Sequence, residues 1–219
     1  MDDPRQRYRA LSAESLAVDD PTGWFDRLYA EAESGRARVP WDRSAPHPLL
    51  ADWLRSRAGT GHDMGAGKRA LVVGCGPGDD AEPVARLGFD TVAFDVSEAA
   101  IRAARQRYPD SPVDYLVADL FDPPPAWERA FDLVVEVFTV QALPLEHHRR
   151  AIERIAGFAG GELLVISMAR DDGEKLTDIP PWPLTRAEID LFTTVGGLVP
   201  VSVERVDFSQ WRAEFTRRP

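Results

Sequence analysis

The chain has 219 residues, a formal net charge of −10 and a pI near 4.9. This length supports one domain with a real core, and the acidic balance argues against nucleic acid as the main partner, because phosphate binding needs a basic surface. The lone cysteine, Cys75, excludes an intrachain disulfide and any multi-cysteine metal site. No apolar run approaches the ~20 residues that cross a bilayer, and the opening Met-Asp-Asp-Pro-Arg lacks the apolar stretch of a signal peptide. A cytoplasmic enzyme is the expectation.

Residues 1–22 are charged, have few apolar anchors and read as a partly mobile segment. From Gly23 to Glu33, the residues Trp24, Phe25, Leu28, Tyr29 and Ala32 recur at helical spacing, and Gly35 closes that helix. Val39-Pro40-Trp41-Asp42 is irregular, and Leu50, Trp53 and Leu54 mark a second helix. Residues 59–67 form a glycine-rich link. With Lys68 it looks superficially like a phosphate loop, but G-x-x-x-x-G-K-[ST] fails at His62 and at Arg69, and the segment lies before the strand.

Next comes the stretch that organises the chain, Ala70-Leu-Val-Val-Gly-Cys-Gly-Pro-Gly78. A short β-branched run ending in glycines reads as a buried strand entering a tight turn. Ala81, Val84, Ala85 and Leu87 continue at helical spacing. Strand, glycine turn and helix bring backbone N–H groups within reach of a polar ligand. The dinucleotide pattern G-x-G-x-x-G fails because Asp79 occupies its last position; the spacing present is G-x-G-x-G, at Gly74, Gly76 and Gly78. A second strand, Thr91–Asp95, ends in an acid 21 residues after Gly74, placed to accept ribose hydroxyls. A third, Val113–Val117, is followed by Asp119. Two acids at successive strand ends suit an adenosyl group without a pyrophosphate.

These residues resemble the class I S-adenosylmethionine-dependent methyltransferases. The resemblance implies that Asp95 holds the ribose and Asp119 the adenine amino group, with Gly74, Cys75, Gly76, Gly78, Val96 and Leu120 in the cofactor-binding set.

Further along, Ser97 caps a helix running to Tyr108, and Asp122-Pro-Pro-Pro-Ala-Trp127 is a loop. Phe131–Val137 is a fourth strand, followed by a helix from about Pro144 to Phe158. Gly160-Gly161 turns into a fifth strand, Leu163–Ser167. Thr185 and Glu188 form a capping box, and the tail reads as two alternating strands joined at Ser209-Gln210. The expected fold is a Rossmann-like α/β sandwich: a seven-stranded, mostly parallel sheet, helices on both faces and a C-terminal antiparallel hairpin.

Methyl transfer from a sulfonium chiefly needs alignment and exclusion of water, so no certain catalytic side chain is expected, only positioning by Glu136 and Trp24. Glu136 is the charged exception in an apolar strand whose end faces the crevice; it is read as binding the amino end of the cofactor's methionine or helping to form the acceptor site. Phe138, Gln141 and Trp182 are candidates for the acceptor site. Cys75 is read as a small loop residue and not as a nucleophile, and His147 and His148 as a solvated helix start. Trp24, Trp41, Trp127 and Trp182 pack either as core or, as a set, over the crevice with faces open to a sulfonium.

A narrower resemblance spans nearly the whole chain from about residue 23. Trp24…Pro40-Trp41-Asp42…Pro46-x-Pro48-Leu49, then Leu164-Val-Ile-Ser and Pro180-Pro-Trp-Pro-Leu-Thr, are similar to the thiopurine, thiol and halide methyltransferases. It implies that Trp24 and Trp41 lie over cofactor and acceptor, although Arg43-Ser44-Ala45 replaces the glycine usual after the Trp-Asp pair. The expected organisation is a segment 1–22 and a domain 23–219, with 23–60 a helical lid and 68–219 the Rossmann-like core. The expected activity is methyl transfer to a small molecule, a thiol or sulfide, by a monomer or homodimer acting on neither nucleic acid nor membrane. An O- or N-methyltransferase of a secondary metabolite and a non-enzymatic cofactor-binding module are the alternatives; Asp79 disfavours a dehydrogenase.

Overall fold

A computed structural model describes residues 4–58 and 64–218. Residues 59–63 of the glycine-rich link, His62 among them, lie outside the described residues, as do 1–3 and 219.

The sheet is built from β1 (Arg69–Val73), β2 (Asp90–Asp95), β3 (Asp114–Val117), β4 (Phe131–Val137), β5 (Ala159–Met168), β6 (Val199–Val206) and β7 (Gln210–Thr216). Its order is β3-β2-β1-β4-β5-β7-β6. The first five strands run parallel, and β7 pairs antiparallel with both β5 and β6. This is the fold expected from the sequence.

Central strands are apolar on both sides because helices cover both faces. Leu71 and Val73 of β1 pack with Ile152 and Ile155 of α6 (Leu145–Phe158) and Phe192 of α7 (Arg186–Thr194). Ala70 and Val72 point the other way, to a cluster with Trp53 of α3 (Pro48–Ala58), Val84 of α4 (Ala81–Ala85) and Ile101 of α5 (Glu98–Arg107). The strand order reverses direction between β1 and β4, which opens a crevice at the strands' carboxyl ends.

Residues 4–16, for which the sequence suggested no helix, form α1 (Pro4–Leu16). Its apolar pattern is thin: Leu11 is its fully buried hydrophobic anchor. Ion pairs Arg7–Glu31 and Glu14–Arg27 tie it to α2 (Gly23–Glu33). In turn α2 docks on the core through Asp26, whose Oδ1 accepts Ser97 Oγ–H and Ala99 N–H, both at 2.9 Å, at the start of α5.

Several local expectations shift. Gly160 and Gly161 lie within β5 and do not form a turn; a Cβ on Gly161 would stand 2.4 Å from the Asp132 carbonyl oxygen, so their smallness lets β5 approach β4 at an irregular register. The hairpin turn falls two residues early, at Asp207 and Phe208, both with positive φ as a tight hairpin needs, and Gln210 belongs to β7. His148 is buried and not solvated. Its Nδ1 lies 2.7 Å from Glu188 Oε1 and its Nε2 2.9 Å from the Leu143 carbonyl. With an oxygen at each nitrogen, the ring is pinned between Glu188 of α7 and the Leu143 carbonyl. Glu188 also takes Arg170 at 3.0 Å and completes the capping box with Thr185, which fastens the loop after β5 to α7.

Thr185→Ala is expected to lower stability by about 1 kcal/mol and Ile152→Ala by about 2–5 kcal/mol, read as shifts in urea midpoint at constant slope.

Candidate functional site

At the carboxyl ends of β1, β2 and β4 and beyond β3 lies a cavity of about 430 Å³. Its floor is the glycine turn after β1. Gly76 has φ +50°, and a Cβ there would stand 2.7 Å from the Tyr29 hydroxyl, so any larger residue would be strained and would push against α2. The Gly76 N–H donates to Asp95 Oδ2 at 2.9 Å, and the Ser97 N–H donates to Oδ1 at 2.9 Å. Burial pushes the Asp95 carboxyl above its usual range, and these backbone donors oppose that shift. The carboxylate is thereby fixed in orientation and keeps lone pairs for hydroxyl donors. Exposed Asp119 stands at the neighbouring strand tip, with Oδ1 accepting the Phe121 N–H at 2.8 Å. Val96 and Leu120 lie beside the two acids on the same wall.

The roof is aromatic. Trp24 stacks on Phe25 at 3.9 Å and meets Trp41 edge-on at 5.8 Å. Trp41 donates its Nε1–H to the Tyr29 hydroxyl at 2.8 Å. Arg107 holds this segment down by bridging Asp42 (2.7 Å) and Asp79 (2.9 Å), which lowers the Asp42 pKa. On the far side Tyr8 donates to the Pro180 carbonyl at 3.1 Å, so α1 meets the loop after β5 across the cavity mouth.

The β4 side of the wall carries Phe138, Gln141 and His47. Phe138 has φ +63°, a strained conformation of the kind that collects at binding sites. Gln141 lines the cavity while its Oε1 accepts the Met168 N–H at 2.5 Å. The His47 ring packs edge-on against Phe138 at 4.9 Å. Cys75 lies in the floor, where burial and nearby Asp95 push its thiol well up, as befits a packing residue and not a nucleophile.

Eleven of the residues expected at the site from sequence therefore line the cavity: Trp24, Trp41, Gly74, Cys75, Gly76, Asp95, Val96, Asp119, Leu120, Phe138 and Gln141. Gly78, Glu136 and Trp182 do not. Gly78 backs onto Tyr115, whose hydroxyl a Cβ would meet at 2.5 Å. The buried Glu136 turns away from the crevice, because its Oε1 accepts the N–H groups of Thr139 (2.6 Å) and Val140 (3.0 Å) and fastens the turn after β4. Trp182 donates to the Thr177 carbonyl at 2.7 Å and faces a separate hollow beside Leu16 and Pro144. Trp127 is core, packed on Phe94, Phe131 and Phe158. Sequence reasoning missed Tyr8, Arg43, His47 and Asp80 as wall residues. The one available signal for His47 was its place between Pro46 and Pro48, which fixes the chain direction there.

A parallel sheet with a switch point, a glycine turn and acids at two adjacent strand tips define a Rossmann-like protein built to hold a nucleoside. Comparison with known proteins agrees. A methyltransferase domain family matches residues 70–159. A probable thiol methyltransferase 2 of Arabidopsis thaliana is 26% identical over 200 residues, 83% of this chain and 79% of that protein. A ubiquinone biosynthesis O-methyltransferase of Thiobacillus denitrificans is 34% identical over 100 residues, which span 45% of this chain and 41% of that enzyme. The crystal structure of magnesium protoporphyrin IX methyltransferase from Synechocystis PCC 6803 with bound S-adenosylmethionine superposes with TM-score 0.65 at 16% identity, covering 100% of this chain and 99% of that one. The domain match, the relatives and the shared fold together support a class I S-adenosylmethionine-dependent methyltransferase.

Burial raises the Glu136 pKa to about 7. A group raised on folding favours the folded state fully below its unfolded pKa, and that contribution is lost as pH rises through the folded value. Glu136→Gln keeps the Oε1 acceptor and removes the charge, so it is expected to stabilise the protein at pH 8 by up to about 3 kcal/mol. The gain should fade toward pH 5. Urea titrations at the two pH values check this.

Proposed function

We propose that this enzyme moves the methyl group of S-adenosylmethionine to a small soft nucleophile, a thiol or sulfide, inside the cavity beneath Trp24 and Trp41. The residues present fit the cofactor. Asp95 is oriented by two backbone N–H groups as an acceptor for ribose hydroxyls, and Asp119 offers an exposed carboxylate for the adenine amino group. The glycine turn leaves room for a ligand against the main chain. When bound, the cofactor supplies an activated methyl on a sulfonium, which needs no acid to help its leaving group depart.

What remains for the chain is to hold, align and keep dry. The tryptophan roof offers π-faces suited to a sulfonium, and the aromatic roof with Phe138 makes the walls largely apolar. Of the lid expected over 23–60, the described residues 23–58 act in this reading as a helical lid, fixed to the core by Asp26 and by the Arg107 bridge.

The observation that carries the thiol reading is the lack of an imidazole base on the described cavity wall. His47 is the histidine there. Its Nδ1 accepts the Leu49 N–H at 3.2 Å, and burial, with Arg43 nearby, lowers its pKa to about 4. It is a neutral donor and takes no proton near neutrality. A thiol, with an ordinary pKa of about 8.5, ionises well enough to react without one; a phenol or alcohol needs more help. Similarity along most of the chain to a probable thiol methyltransferase supports the same acceptor class, whereas the similarity to an O-methyltransferase covers less than half of either protein.

Labelled S-adenosylmethionine with a panel of thiols, halides, phenols and amines tests the acceptor: thiols should be methylated fastest, and transfer to phenols or amines with none to thiols would overturn the thiol assignment alone. Calorimetry with S-adenosylhomocysteine should show an affinity loss of about 10–100-fold for Asp95→Ala. Equal affinity would refute the ribose role.

A further inference from the structure

A thiolate brought into this cavity meets walls that disfavour it. Around the β4 exit and the end of β5 the lining is Phe138, Leu143, Met168 and Pro180. Burial among apolar groups drives a thiol toward its neutral form, and a hydrogen bond donated to the charged sulfur opposes that shift without any base.

Most donors on this side of the cavity are spent. The Phe138 N–H donates to the Ile166 carbonyl at 2.9 Å and the Leu143 N–H to the Val140 carbonyl at 3.1 Å. The Thr139 and Val140 N–H groups go to Glu136. The hydroxyls of Thr139 and Tyr8 donate to the carbonyls of Val73 and Pro180.

Gln141 differs. Its residue is 3% exposed and lines the cavity. Its Oε1 accepts the Met168 N–H, which fixes which way round the amide sits. Its own carbonyl accepts the Trp182 N–H at 2.7 Å, so the residue is also tied to the loop after β5. Nε2 is left without a hydrogen-bond partner among the described residues, and it is not one of the solvent-sealed polar atoms. In a side chain this deeply buried, the cavity is the opening such a nitrogen has.

We propose that Gln141 donates an Nε2–H to the acceptor's sulfur and holds it as a thiolate in line with the methyl group. The thiol proton passes to water as the acceptor docks. One lone pair of the thiolate faces the amide. Another forms the new S–CH3 bond while the methyl–sulfonium bond breaks, its electron pair staying on the departing sulfur as the neutral thioether of S-adenosylhomocysteine. The proposal rests on the thiol reading and gives the amide the task that a general base would otherwise perform.

Neighbouring ionisable groups have other commitments. Burial pushes Tyr29 and Cys75 well up, so both stay neutral. His47 is lowered to about 4 and Asp80 raised to about 6, and Arg43 acts electrostatically on both. Asp79 pairs with Arg107, and the acids at the β2 and β3 tips lie across the switch point. Behind the turn, His148 and Arg170 are engaged with Glu188. Glu136, raised to about 7, is the group whose titration needs its own control.

The test is calorimetry of benzyl mercaptan binding to the S-adenosylhomocysteine complex, in buffers of different ionisation enthalpy, which counts the protons released. At a pH about one below the free thiol's pKa, the wild type should release about half a proton or more if the donor lowers the bound pKa by about 1–2. Gln141→Met and Gln141→Glu should release little, while Glu136→Gln should release as much as the wild type. The limb of the kcat profile, which reports ionisation in the bound complex, should lie about 1–2 pH units higher in both Gln141 variants. Below that limb kcat should fall about 10–100-fold, with S-adenosylhomocysteine affinity within about twofold. Undiminished release and an unmoved limb in the Gln141 variants would overturn the proposal, as would no release by the wild type or its loss in Glu136→Gln. Weaker S-adenosylhomocysteine binding in both Gln141 variants would overturn it too, by placing the amide against the cofactor. A wild type that binds S-adenosylhomocysteine but methylates no thiol would overturn the thiol reading and this proposal with it; one that binds none would overturn the methyltransferase reading. Gln141→Glu keeps an oxygen for the Met168 N–H, so loss of folding in Gln141→Met leaves it decisive.

Discussion

The site depends on keeping one carboxylate charged in a place that disfavours charge. Asp95 is buried at the tip of β2, and desolvation alone would drive it toward the neutral acid. Two backbone N–H groups counter this, one from the glycine turn after β1 and one from the start of α5. Those same contacts join the β1–α4 turn to the β2–α5 turn. Gly76 is thus part of the electrostatics of Asp95, donating its N–H to the carboxylate from a turn in which its own φ is +50°. Ser97 extends the chain of dependence: its N–H holds Asp95, its hydroxyl caps α5, and the same hydroxyl donates to Asp26 on α2. The floor of the cavity and the segment above it are therefore set by one connected network.

Arg107 makes a second such link. It lies at the far end of α5 and grips Asp42, next to roof residue Trp41, together with Asp79 in the glycine turn. Its two ends of contact are separated in sequence and adjacent in space, so the aromatic roof is indexed to the floor at both ends of one helix. A roof held this way can be apolar where it faces the ligand and still be fixed in position, since the polar fastening lies behind it. Tyr8 adds a contact from α1 to the Pro180 carbonyl, and the loop bearing Pro180 is itself held by the Arg170, Glu188 and His148 group.

Residues whose role is written in local pattern were readable in the sequence. The run Leu71–Val73 into spaced glycines, Asp95 at a strand end, Ser97 as a helix cap, and Thr185 with Glu188 each need only a few neighbouring positions to be interpreted, and the structure places them as expected. Other features depend on partners far along the chain. Leu11 gives α1 too weak a pattern to announce a helix; burial against α2 and ion pairs from Arg7 and Glu14 do the rest. Gly160 and Gly161 look like a turn and serve close approach of two strands. His148 looks solvated beside His147 until Glu188, 40 residues later, is brought to it.

Glu136 and His47 make the same point in opposite directions. A carboxylate in an apolar strand at the crevice edge suggests a ligand, yet its Oε1 accepts N–H groups three and four residues on that the turn after β4 would otherwise leave unpaired. A histidine in a proline-rich approach to a helix suggests nothing, yet it ends on the cavity wall, its ring packed on Phe138 and its Nδ1 committed to the Leu49 N–H. What separates them is whether folding brings the side chain to the cavity wall, and that is settled only in three dimensions.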